Sequence, residues 1–191
     1  MTKNRLEDFS DAVFAIIITI LVLELKIPHG SDFTALRPLL PVFLTYILSF
    51  VYLGIYWNNH HHMLHTVHKV NGRILWANLH LLFWLSLIPF TTGWMGENHL
   101  ASEPTAVYGF DLLMAAVAYT ILQRELVVHQ GKDSILATAV GDDRKGRLSL
   151  LAYMAAIPLA FVEQWISDAI YIGVALMWFV PDKRIESRLQ S

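Results

Sequence analysis

The stretch Phe9-Ser10-Asp11-Ala12-Val13-Phe14-Ala15-Ile16-Ile17-Ile18-Thr19-Ile20-Leu21-Val22-Leu23-Glu24-Leu25-Lys26-Ile27-Pro28 decides how this chain must fold. Between Asp11 and Glu24 it is almost wholly apolar, yet a helix crossing a hydrocarbon layer of about 30 Å needs roughly 20 residues. The run is therefore short for a span that faces lipid on all sides. A carboxylate near the start of a membrane helix is costly unless it is paired or hydrated. Asp11, with Arg5 and Ser10, accordingly suggests a polar network behind the helix that fixes its rotation.

At about 100° per residue, Ile16, Ile20, Leu23 and Ile27 fall on one stripe about 60° wide, with Thr19 on its border and Asp11 about 140° from Ile16. Spacing alone favours a packing seam for such a stripe. A pore wall needs further support.

Outward from this segment the chain remains apolar. Of its 191 residues 55% are hydrophobic and 16% charged, an excess of apolar surface that calls for a lipid solvent. Cysteine is absent, which removes disulfides and thiolate metal sites, and the net charge of −2 gives no basic footprint for nucleic acid. The first apolar segment lacks the small-residue cleavage pattern of a signal peptide and reads as a retained helix.

The pattern predicts an all-α integral membrane bundle of six transmembrane helices. They run from Phe9 to Leu25, Leu36 to Trp57, Ile74 to Met95, Val107 to Leu122, Leu148 to Val162 and Trp165 to Val180. Aromatic residues suited to the headgroup region, among them Trp57, Trp76, Trp94 and Trp165, stand near their ends.

Basic residues in short loops stay cytoplasmic. With the amino terminus inside, Lys3, Arg5, Lys69, Arg73, Arg124, Lys132, Arg144, Lys145, Arg147, Lys183, Arg184 and Arg188 are cytoplasmic, and only Lys26 and Arg37 remain outside. Both termini are expected in the cytoplasm. The polar connection from Gln123 to Arg147 is expected to carry some helix. The fifth and sixth segments, separated by Glu163 and Gln164, should form a tight hairpin with Pro158 as a kink. With no internal repeat, residues 1–191 read as a single six-helix unit.

Arg5, then Phe9-Ser10-Asp11, then the isoleucine-rich run closing in Leu23-Glu24-Leu25-Lys26-Ile27-Pro28 resembles bacterial members of the transmembrane protein 175 potassium-channel family. The resemblance continues in Trp57-Asn58-Asn59-His60 and from Asn78 to Pro89-Phe90, and covers the first half of the chain. It implies a potassium-selective cation channel, not an enzyme, in the bacterial inner membrane. The assembly it implies is a homotetramer among membrane lipids, whose first helices line a central pore carrying potassium ions, with no cofactor. By distance from the motif it implies a constriction at Ile16, Ile20 and Leu23 and a pore-lining Thr19. It also implies a supporting network of Arg5, Phe9, Ser10, Asp11, Trp57, His60 and Asn78. Interface anchoring is the alternative role for Trp57.

Two rival classes stay open. A secondary transporter would show inverted repeats or broken helices in matching halves, and none is visible. A metal-binding membrane protein would draw on His60, His61, His62, His65 and His68, which crowd one boundary without a carboxylate or cysteine. Asp111 and Asp168 read as hydrated residues near the outer ends of their helices.

Overall fold

The computed structural model describes residues 2–67, 69–131, 134–141 and 143–179. Among these every regular element is a helix: α1 (Lys3–Leu23), a 3₁₀ segment (Phe33–Leu39), α2 (Leu40–His65), α3 (Gly72–Glu97), α4 (Ser102–Gln130), α5 (Ile135–Val140), α6 (Arg144–Leu159) and α7 (Gln164–Phe179). Phe33–His65, Gly72–Glu97 and Ser102–Gln130 are long and apolar enough to cross a membrane. The protein is a multi-pass membrane protein.

Local chemistry sets the helix boundaries. Asn71 caps α3 by accepting from the Ile74 N–H at 3.0 Å, Ser134 caps α5, and Asp143 caps α6 by accepting from the Gly146 N–H at 3.1 Å. Asp143 holds a left-handed conformation with φ 38°, which Asp tolerates better than most residues. α1 stops at Leu23, two residues before the expected Leu25. α4 runs past Leu122 to Gln130, because its polar last turns still bury Leu126 and pair Glu125 with Arg73 at 2.9 Å. Pro158 lies in the last turn of α6, where it ends the helix instead of bending it. The polar connection carries the short α5.

Two apolar clusters form the interior. One joins Phe14, Ile17 and Leu21 of α1 to Leu53 of α2, Leu81 and Leu85 of α3 and Leu122 of α4. The other joins Tyr52, Tyr108, Leu112, Tyr153 and Tyr171 across α2, α4, α6 and α7. α3 packs chiefly on α4, while α1 rests on α2 and α3 at the edge of the bundle. Small residues allow the closest approaches. A Cβ on Gly96 would come within 2.7 Å of Val42 Cα, and one on Gly109 would collide with the Tyr171 hydroxyl.

Asp111 and Asp168 lie inside this second region rather than in water, at 2% and 6% exposure. Thr91 donates to Asp111 Oδ2 at 3.0 Å; Asp111 Oδ1 and both oxygens of Asp168 lack a partner among the described residues.

Candidate functional site

The first helix has two different sides. Leu6, Ser10, Phe14, Ile17 and Leu21 are buried against α2 and α3. Ile16, Ile20 and Leu23 stand 58%, 43% and 74% exposed, with Thr19 exposed beside them. The division follows from the sequence, since Ser10, Phe14, Ile17 and Leu21 recur at helical spacing on a face roughly 120° from the isoleucine stripe.

A directional chain of hydrogen bonds holds the buried side. The Ser10 hydroxyl donates to the Leu6 carbonyl at 2.8 Å, so its oxygen is free to accept from Asn78 Nδ2 at 3.0 Å. That orientation turns Asn78 Oδ1 toward His60 Nε2 at 2.7 Å, which requires the imidazole proton on Nε2. All three side chains are buried. Each donor and acceptor in the chain defines the next, and such a chain specifies rotation about the helix axis in a way apolar packing does not. The buried Phe14 ring packs against the network, 5.8 Å from the His60 ring. Phe14 is a member the sequence reading did not single out; its spacing of four residues from Ser10 was the available signal.

A second tie is more open to solvent. Trp57 Nε1 donates to Asp11 Oδ1 at 3.0 Å, and the indole stacks on His61 at 6.2 Å. Lys3 Nζ donates to the His65 carbonyl at 3.3 Å, closing the same end of α1 onto the end of α2. Asp11, Trp57, Ser10, Asn78 and His60 are thus brought together in two adjacent pairings. Phe9 is half exposed, and Arg5 is exposed and joins none of these bonds among the described residues.

His60 is drawn into the core, while His61 stacks on His65 at 6.1 Å and meets His62 at 5.7 Å. His68 lies outside the described residues. Among the described residues no three ligating side chains converge on a metal position.

At the other end of α1, Lys26 Nζ and Glu97 Oε1 pair at 2.5 Å. Hydrogen bonding to Glu97, then its charge, raises the Lys26 ammonium above its ordinary pKa.

The site thus belongs to a multi-pass helical bundle with its first helix set at the edge, keyed in rotation by a buried Ser-Asn-His chain and bare along an apolar stripe. Residues 5–89 match the family model of the endosomal/lysosomal potassium channel TMEM175. A protein named a potassium channel in Chryseobacterium sp. (strain P1-3) is 55% identical over 190 residues, spanning 100% of this chain and 99% of the relative. One so named in Streptomyces collinus (strain DSM 40733 / Tue 365) is 31% identical over 187 residues, 92% and 91% of the two chains. The crystal structure of a lysosomal potassium-selective channel TMEM175 homolog from Chamaesiphon minutus superposes with a TM-score of 0.83 at 28% identity, covering 94% of this chain and 97% of that one. The chain belongs to the TMEM175 family.

Proposed function

We propose that this chain is the subunit of a potassium-selective channel, passive and without enzymatic chemistry. Its relatives carry that name. The observation that carries the mechanism is the asymmetry of α1, bonded behind through Ser10, Asn78 and His60 and exposed in front at Ile16, Ile20 and Leu23.

In this reading α1, α2, α3, α4, α6 and α7 span the membrane, both termini are cytoplasmic, and the protein sits in the inner membrane of a bacterium. One subunit offers a single α1, so a central path needs several around an axis, and closed rotational symmetry with four copies satisfies it. Ile16, Ile20 and Leu23 then form an apolar constriction that a cation crosses only by shedding or thinning its water, a barrier of the dewetting type.

Thr19 complements the constriction. Its hydroxyl donates to the Ala15 carbonyl at 2.8 Å, which commits the proton to the helix and leaves the oxygen lone pairs facing outward. Four such oxygens would present acceptors to a cation at the constriction.

The test is potassium flux from liposomes holding the purified oligomer. Flux down a potassium gradient with no coupled ion is expected, and native mass spectrometry in mild detergent should give a tetramer. Flux that depends on a counter-transported ion, or a monomer alone, would overturn the reading.

A further inference from the structure

We propose that Glu24 is a conductance-setting residue, a fixed negative charge at the outer mouth that concentrates cations ahead of the constriction. The proposal rests on the reading of α1 as the pore helix.

Glu24 lies one turn beyond Ile20 and continues the helix, with φ −70° and ψ −15°. It therefore stands about 40° from Ile20 around the axis, on the edge of the apolar stripe where α1 meets α3. Its exposed carboxylate sits in a groove lined by Ile20, Phe90, Gly93, Trp94 and Glu97. Gly93 makes room for it: a Cβ there would come within 3.3 Å of Glu24 Oε2.

The charge of Glu24 is not consumed. Lys26, the nearby base, is taken by Glu97 at 2.5 Å, and Glu24 forms no ion pair among the described residues. Lys26, Glu97 and His99 share the adjoining groove with it. The group of Glu24, Lys26 and Glu97 leaves one net negative charge per subunit, and symmetry repeats it around the axis. A ring of like charge beside a low-dielectric channel focuses its field on the entrance and raises the local counter-ion concentration. Its reach is about 30 Å at 0.01 M salt and about 3 Å at 1 M, so its effect must vanish with ionic strength.

The experiment is single-channel conductance and liposome flux of potassium, in 10 mM and 1 M KCl, for the wild type and five variants. Glu24→Gln is expected to pass about threefold less current in 10 mM and the same current in 1 M. Glu24→Asp should keep the wild-type value. Glu97→Gln, which uncovers Lys26, should also lower the low-salt current, whereas Lys26→Gln should raise it or leave it unchanged. That order follows the sign of charge, which a structural disturbance would not. Unchanged low-salt current in Glu24→Gln, or an equal loss at both salt concentrations, overturns the proposal. Ile20→Asn separates the two readings: if it alters flux while Glu24→Gln does not, only the role of Glu24 fails, and if it leaves flux unchanged the pore assignment of α1 fails with it.

Discussion

Asn78 accepts from His60 and donates to Ser10, so that one amide on α3 sets the positions of both α2 and α1. Because His60, Asn78 and Ser10 are all buried, removing the middle member leaves the His60 ring N–H without a partner and the Ser10 hydroxyl with only its bond to the Leu6 carbonyl.

Asn78→Leu is therefore expected to cost about 2–4 kcal/mol, more than one ordinary hydrogen bond, since a buried donor is orphaned and a buried hydroxyl oxygen loses the bond it accepts. Adding His60→Leu to it should cost less than the sum of the two single changes, as coupled partners do. Thermal unfolding of the detergent-solubilised oligomer measures both. Strict additivity would mean that the three side chains do not act as one chain.

Trp57→Phe keeps the ring on His61 and removes the donor to Asp11. The bond is partly open to water, so a loss of about 1–2 kcal/mol is expected, with assembly or opening impaired and the potassium-to-sodium ratio unchanged. Asp11→Asn retains an acceptor for the indole and should be milder, while Asp11→Leu should match Trp57→Phe. Normal assembly and currents with altered ion preference would reassign this pair to the conduction path.

Arg5 has no partner among the described residues of its own subunit, so Arg5→Ala should leave the melting temperature of the dissociated subunit unchanged. Its effect is expected on the fraction of intact oligomer or on opening, read by native mass spectrometry and by flux. A lower subunit stability with the oligomer fraction intact would place its partner within the chain.

Ile16→Ala, Ile20→Asn and Leu23→Ala distinguish a pore wall from a packing seam. In a seam, each large-to-alanine change leaves a cavity costing about 2–5 kcal/mol, and the asparagine would be buried without a partner. Beside a wet path the same changes widen and hydrate the narrowest region. Increased or less selective flux, normalised to intact oligomer, is expected. Loss of the oligomer or unchanged flux in all three would make the stripe structural.

Much of this was legible in the sequence, for identifiable reasons. The apolar runs of α2, α3 and α4 exceed what a soluble chain can hide, and Asp11 close to Ile16 already implied a helix with unlike sides. The end of α4 was not legible from hydropathy, because Gln123 to Gln130 continues the helix with one apolar face and one wet face. The burial of Asp111 and Asp168 was not legible either: their positions near helix ends suggested water, and only the packing of neighbouring helices turns them inward. The Lys26–Glu97 pair joins residues far apart in the chain, and nothing local to either announces it.

The two ends of α1 are held unequally. Near Ser10 the helix is keyed by buried hydrogen bonds, whereas beyond Leu23 its link to α3 is one exposed ion pair, which water and salt screen. From Ser10 to Leu23 the helix rises about 20 Å. It is a lever with its fulcrum near Ser10, and a tilt of about 5° there would carry Leu23 sideways by about 1.7 Å over that length. A small rearrangement around His60 would be enlarged at the far end of the rod, where Ile20 and Leu23 stand, and Ile16, nearer the fulcrum, would travel least.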